Sequence, residues 1–426
     1  MELFGLAQIA YAACNLVYLK LLLKKPNYVD LSRGPQKYRN IDVLIAAYEE
    51  RYEILYANVK SLMEQDYPPE KVKVHIVVEA HDKGTVEAAR RIAKEFGRVD
   101  VVVIPRNRHE NWEGVLKHAD IGPEIYVPAG KGRALLYALH HAKTSKQIVG
   151  VFDSEDVADP RLFKAAVSGL EQGYDIVQGL LKYGNWRKSW LTALQSAEPV
   201  IWSKLFYPST SHKSVPFQVL GPAYFFDYKL AHDQKGWSPF TTSEDVQFGV
   251  SAWLRKKKLG IIDIYTSEMG VETYAGWLAQ RRRWARGHQE HFVKLPLSIG
   301  ARLNFFTYTI NSQVINLVGL VGVPTGVYLF IRQLLGMQPF VSDALFPLLV
   351  FNMAMWLGTS LYIMGALLKA YDFKNWQEKL GYVLKVNPLT LLFYSLSWSL
   401  PVLLGFWDNI VRLFTGKMPA WEKTAH

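Results

Sequence analysis

Cysteine is almost missing from this chain: Cys14 is the one cysteine in 426 residues. An internal disulfide framework and every cysteine-based metal site are therefore excluded. Internal repeats and low-complexity tracts are also missing, which excludes a repeat array. Acid is in short supply, with 38 Asp and Glu against 49 Lys and Arg, a formal charge of +11. Such a balance admits nucleic acid, an anionic lipid surface or phosphorylated substrates as partners. Lys and Arg also collect on the cytoplasmic side of membrane proteins. Here the basic residues gather beside apolar runs and not along one soluble face, so no nucleic acid partner is expected. Hydrophobic residues make up 50% and aromatics 13%. A soluble domain joined to a few membrane helices averages to that composition.

The apolar runs lie at the two ends. Leu3 to Leu23 is preceded by Glu2 and followed by Lys24-Lys25. A secretory signal has the opposite charge order. The expectation is an uncleaved helix with the following domain on the cytoplasmic side, and with Lys20 snorkelling towards that surface. Phe305 to Leu335 and Val341 to Leu368 are each long enough to cross a bilayer, which takes roughly 20 apolar residues. The short link Gly336 to Phe340 makes them a hairpin. Leu389 to Leu413 is a third candidate, weakened by Pro401, Asp408 and Arg412. A full crossing there would put a basic tail outside, so an interfacial or re-entrant helix stays open.

Between these ends the pattern is α/β. Val43 to Ala47, Val72 to Val78, Val101 to Ile104 and Ile148 to Phe152 are short β-branched runs that read as buried strands. Glu50 to Gln65 and Thr85 to Phe96 have helical spacing. The alternation predicts a parallel sheet covered on both faces, with ligands beyond the carboxyl ends of its strands. Glu79 and Asp82 follow the second strand and Asp153 the fourth, so both acidic sets converge on one edge.

Four short motifs carry chemistry, each with an ordinary alternative. Asp153-Ser154-Glu155-Asp156 offers hard oxygens of the kind a Mg²⁺ bound to a diphosphate takes, or is a solvated turn before the helix start at Asp159-Pro160. Lys131-Gly132-Arg133 opens a helical stretch and can meet an anion there, or is a plain basic loop. Ser243-Glu244-Asp245 can supply a base, or simply caps the helix that follows. Gln280 to Trp284 puts Gln280, Arg283 and Trp284 on one helical face. They can orient and neutralise a diphosphate and stack on a sugar, or mark an interfacial helix at headgroup level. Lys256-Lys257-Lys258 reads as a solvated or lipid-facing basic run.

Taken together, the series resembles the membrane-bound, cellulose synthase-like branch of glycosyltransferase family 2. That branch has a spaced Asp, a D-x-D, an E-D pair and Q-x-x-R-W. Ala46-Ala47-Tyr48-Glu49-Glu50 resembles its opening nucleotide-binding strand end, and Glu79-Ala80-His81-Asp82 its base- and ribose-contacting acids. Gly130 to Leu135 is similar to its Lys-containing loop; Asn185 and Trp421 to His426 also look like marks of the branch. The resemblance implies an α/β GT-A (Rossmann-like) catalytic domain plus an α-helical transmembrane region, and inversion at the anomeric carbon. It implies Asp245 as general base, with Glu244 beside it at the acceptor. Asp153 and Glu155 would face Mg²⁺ or Mn²⁺ and the diphosphate. Ala46, Tyr48, Glu50, Glu79, Asp82, Lys131, Gln280 and Arg283 would bind the donor, and Trp284 both donor and acceptor.

Two departures shape the functional expectation. Glu155 stands where the family has a second Asp, and no F-x-V-T gating segment is found. Few helices follow Trp284, and a polymer channel needs several around a water-filled path. The expected organisation is an N-terminal membrane helix (1–25), a cytoplasmic catalytic domain (38–270), interfacial helices (271–300), a membrane hairpin (301–370) and a third membrane or interfacial helix with a tail (371–426). The expected function is transfer of a hexose from a nucleoside diphosphate, GDP-mannose ahead of UDP-sugars, to a polyprenyl-linked acceptor among membrane lipids. A processive polysaccharide synthase using a UDP-sugar is the alternative, and a non-catalytic sensor a third reading. Oligomeric state is not legible.

Overall fold

A computed structural model describes residues 2–22, 24, 26–105, 111–337 and 346–415. The chain forms two compact units, each discontinuous in sequence. One contains Pro26–Asn185 and Thr210–Gly270; the other contains the N-terminal helix, Trp186–Ser209 and the described chain from Val271 to Thr415.

The first unit is built on seven strands: β1 (Ile41–Ala47), β2 (Val72–Glu79), β3 (Val99–Ile104), β4 (Ile148–Asp153), β5 (Ile176–Tyr183), β6 (Tyr224–Asp227) and β7 (Leu259–Glu268). Their order across the sheet is β3-β2-β1-β4-β6-β5-β7. The first four were legible as β-branched runs and pair in parallel, with Ile45 opposite Ile76 and Phe152. The sheet is nevertheless mixed, because β6 runs antiparallel to both β4 and β5. The cause is topological: the chain leaves the sheet after β5 and returns at the edge where β5 ended, so β6 has to run back. Both faces are covered, as expected, and the core centres on Phe152, Phe163 and Phe225, whose rings meet edge to face at 5.6–6.4 Å. Lys256-Lys257-Lys258 proves to be the turn into β7: Asp175 takes Lys257 Nζ at 3.0 Å and the Lys258 amide at 2.9 Å.

The second unit is helical. Three of its helical stretches, Ile299–Leu334, Phe346–Ala370 and Pro388–Thr415, are long and apolar enough to cross a membrane. The N-terminal helix Glu2–Leu22 packs on the first two. Buried amides stitch these helices together: Gln8 Nε2 donates to Gly322 O at 2.6 Å, and Asn352 Nδ2 donates to Gln8 Oε1 at 3.0 Å. In hydrocarbon such side-chain bonds between helices replace the missing hydrophobic drive. The charges that weakened the third stretch are neutralised within the protein. Asp408 accepts from Arg282 Nε at 2.8 Å, and Arg412 lies 2.7 Å from Glu290. Paired charges of this kind are the ones tolerated at membrane depth. The tail motif at Trp421 to His426 lies outside the described residues.

Candidate active site

The site in the sheet unit is assembled where the strands end. Asp153 is the last residue of β4, next to Ala46 on β1. Its backbone is held from both sides: Asn58 Nδ2 donates to its carbonyl at 2.6 Å, and its amide donates to Asp156 Oδ2 at 2.6 Å. Asp156 is therefore an internal support and not a ligand-facing acid. Burial first, then Asp153, Glu268 and Glu155, hold its carboxyl well above the ordinary Asp range.

Lys131 opens the helix Lys131–His141 and forms an ion pair with Asp153, while donating to Gly221 O at 2.9 Å. Burial works against its charge, but Asp153, Glu244 and Asp245 outweigh it and the ammonium is held above the usual Lys range. Glu244 and Asp245 open the helix Glu244–Leu254. Ser243 sits at its N-cap but its side chain makes no capping bond, so the capping alternative is not the role of that serine. Asp245 Oδ2 and Asp153 Oδ2 stand 3.6 and 3.7 Å from the point a Cβ on Gly221 would occupy. Gly221 has φ +80°, a conformation side chains rarely adopt. Gly132 allows a second close approach, since a Cβ there would meet Ser238 O at 2.4 Å and Glu244 Cβ at 3.2 Å. Burial first and then Asp245 push the Glu244 carboxyl up to about 7.

The other residues expected to bind the donor from this unit sit at the same edge with different partners. Glu50 Oε2 accepts from Ser154 Oγ at 2.8 Å, and the same hydroxyl reaches Glu155 Oε2 at 3.0 Å. Asp82 caps the helix Lys83–Phe96 through Thr85 N–H at 3.1 Å and also takes the Glu49 amide. Glu79 pairs with Arg133 at 3.2 Å, and burial raises its pKa. The Tyr48 and His81 rings lie 5.7 Å apart. Asn185 exchanges two hydrogen bonds with Gly270, at 2.7 and 2.8 Å. The structure thus joins Lys131, Asp153, Glu244 and Asp245 directly, and links Glu50 and Glu155 through Ser154.

Among the described residues no group of three or more His, Cys, Asp or Glu side chains is arranged to hold a metal ion. Asp153 and Glu155 are hard-oxygen donors on one strand end, which fits a Mg²⁺ or Mn²⁺ whose remaining ligands are phosphate oxygens. They fit a metal that arrives with its diphosphate.

In the helical unit, Gln280, Arg283 and Trp284 lie on the helix Tyr274–Lys294, as their spacing required. The central arginines differ. Arg281 is fully buried and bonded to Glu198 and to Gln280 Oε1. Arg282 pairs with Asp408. Arg283 has no ion pair among the described residues, and its Nε is buried without a hydrogen-bond partner. Trp284 stacks on Trp398, ring centroids 6.3 Å apart at 24°. Glu198, Arg281 and Trp398 contact this stretch of the helix, and the spacing rule had no reason to select them.

Sequence comparison assigns the chain that carries these features to a family. A family model for "Glycosyl transferase family group 2" matches residues 148–407, and one for "Glycosyltransferase like family 2" matches residues 38–119. The chain belongs to glycosyltransferase family 2, in its cellulose synthase-like branch. It is similar to the probable glucomannan 4-beta-mannosyltransferase 14 of Arabidopsis thaliana, 20% identical over 306 residues, 68% of this chain and 54% of that protein. The probable glycosyltransferase YdaM of Bacillus subtilis is 19% identical over 279 residues, 63% of this chain and 61% of that protein. The chain spans about half the length of the plant relatives it matches. Its fold is similar to that of the mannosyltransferase PcManGT from Pyrobaculum calidifontis, solved in complex with GDP-Man and Mn²⁺. The TM-score is 0.59 at 18% identity, over 96% of this chain and 99% of that one.

Proposed function

We propose that this chain is an inverting hexosyltransferase that moves mannose from GDP-mannose to a polyprenyl-linked acceptor at the cytoplasmic face of the cell membrane. One observation carries the reading: two carboxylates, Asp245 and Asp153, flank Gly221 while Lys131 compensates their charge. That is a strand-end acid for the donor and a separate acid for the acceptor. Asp245 takes the proton of the acceptor hydroxyl as its oxygen forms the new bond to the anomeric carbon. The bond from that carbon to the diphosphate oxygen breaks on the opposite side, and the nucleoside diphosphate leaves. Glu244, held up to about 7, is about half protonated near pH 7; its protonated form adds no negative charge beside Asp245 and can donate to an acceptor oxygen. Asp153 and Glu155 would hold Mg²⁺ or Mn²⁺ with the donor diphosphate; when bound, the metal neutralises charge on the leaving group. Ala46, Tyr48, Glu50, Glu79 and Asp82 belong to the nucleotide end, and Gln280, Arg283 and Trp284 to the diphosphate and acceptor sugar.

Mannose is favoured by the names of the plant relatives and of the archaeal structural neighbour. A lipid acceptor is favoured by the three long apolar helices that follow the Gln280–Trp284 motif. The test is transfer by the detergent-purified full chain. GDP-mannose and UDP-hexoses are offered with Mn²⁺ or Mg²⁺, and with polyprenyl phosphate or a polyprenyl-linked saccharide. A single mannosylated lipid is expected. A ladder of polymer would favour the processive alternative, and transfer from UDP-hexose alone would overturn the choice of donor.

A further inference from the structure

We infer that Glu198 is a positioning residue for sugar transfer, acting through Arg281 to fix Gln280 with its amide nitrogen, not its oxygen, presented to the ligand. The inference rests on the reading that Gln280 and Trp284 meet the substrates. Glu198 lies in a four-residue helical turn, Ala197–Val200, and its side chain is only 8% exposed. A carboxylate that deep is retained at a cost unless every lone pair is satisfied. Here it is satisfied: Oε2 takes Arg281 Nη2, and Oε1 takes Arg281 Nε at 3.4 Å, the Tyr394 hydroxyl and the Trp398 indole N–H at 2.8 Å. Tyr394 in turn accepts from Trp277 Nε1 at 2.7 Å.

The pair orients its neighbours through the arginine. A guanidinium has donors only. Arg281 Nη1 points at the Gln280 carboxamide, so the oxygen of that carboxamide has to face it. Oxygen and nitrogen are then assigned by chemistry, and Gln280 has two N–H groups left to offer to acceptors such as phosphate or sugar oxygens. Arg281 also lies over the Trp284 ring at 4.9 Å and near the Trp398 ring at 6.0 Å, which holds the Trp284–Trp398 stack in place. A merely structural ion pair has no need to turn one of its donors on Gln280.

The test compares steady-state transfer by the full chain carrying Tyr394→Phe, Trp398→Phe, Glu198→Gln or Gln280→Glu, each alongside its melting temperature. Tyr394→Phe and Trp398→Phe each remove one hydrogen bond to Glu198; the first also leaves the Trp277 indole N–H without its acceptor, and the second replaces the ring that stacks on Trp284 by a smaller one. Both are expected to raise the donor KM several-fold while the chain still folds, at a lower melting temperature. Glu198→Gln is expected to lower kcat/KM at least tenfold; its fold is less secure, which is why the phenylalanine variants decide. Gln280→Glu gives Arg281 a carboxylate and should fold, yet it has no N–H to offer and is expected to lose donor affinity at least tenfold. Unchanged KM and kcat in the folded phenylalanine variants, or full affinity in Gln280→Glu, overturns the positioning role while the transferase reading stands. A wild-type chain that transfers from no nucleotide sugar overturns both.

Discussion

Asp245 and Asp153 both approach Gly221, their Oδ2 atoms 3.6 and 3.7 Å from the place of its missing Cβ. One acid comes from a helix start and the other from a strand end, and a single residue without a side chain lets them face the same space. Filling that space is the sharpest perturbation available. Gly221→Ala puts a methyl against both carboxylates on a backbone with φ +80°. Such backbone strain costs about 1–3 kcal/mol. Transfer should be lost well beyond what the lower melting temperature accounts for, because the methyl occupies reactant space. An alanine variant with wild-type turnover would show that the reactants lie elsewhere.

Replacing the proposed base separates binding from chemistry. Asp245→Asn keeps the shape and the helix start, so nucleotide affinity by calorimetry should stay within about twofold. Turnover should fall by roughly 10²–10⁴-fold, the range general-base catalysis contributes. Full activity in this variant would remove Asp245 from the mechanism.

Metal dependence should follow the two acids at the end of β4. Chelation is expected to abolish both transfer and the rise in melting temperature that donor binding produces. Asp153→Asn and Glu155→Gln should each raise the Mn²⁺ concentration needed for half-maximal activity. Asp153→Asn also deprives Lys131 of its ion pair, so it should be the more damaging of the two.

Glu244 gives the sheet unit a pH signature. Its carboxyl is raised from 4.5 in the unfolded chain to about 7 in the fold, by burial foremost and by Asp245. Between those values the folded chain holds a proton that the unfolded chain has released. The associated stability is therefore complete below about 4.5 and is lost as pH climbs through about 7. Glu244→Gln should flatten the fall in melting temperature over that window. An unchanged profile would assign the window to another group.

The helix carrying Gln280 is set by one small residue in the third apolar stretch. A Cβ on Gly405 would lie 2.9 Å from Arg286 N and 3.1 Å from Arg282 O, so the two helices touch at backbone level. Gly405→Val should force them apart at a cost of about 1–3 kcal/mol. The Arg282–Asp408 pair beside it should weaken at the same time. Detergent-solubilised protein would report this as a lower melting temperature together with a raised donor KM.

What could be read beforehand depended on whether the cause was local. β1 to β4 are short runs rich in Val and Ile, and Glu79 and Asp153 are the last residues of two of them. β5 escaped notice because Gln178-Gly179 interrupts it. In the fold Gln178 is buried, with its amide donating to Pro222 O at 2.8 Å and accepting from Leu220 N–H at 3.0 Å. β6 is four residues long and takes its direction from where the chain returns. Asp408 and Arg412 argued against a third long helix until their partners were seen. Asp408's partner is 126 residues away, and no spacing rule reaches that far. Arg281 was passed over because helical spacing selects the other face, and Glu198 because it sits in an otherwise apolar turn.

The anchoring of Glu198 also sets an order for biosynthesis. The ribosome delivers Glu198 long before Arg281, and both before Tyr394 and Trp398, which lie 196 and 200 residues downstream of it. Until the last apolar stretch is made, this carboxylate has an incomplete set of donors. A chain cut short of Tyr394 is therefore expected to leave Glu198 without the hydroxyl and the indole N–H, and to melt at a lower temperature than the full chain.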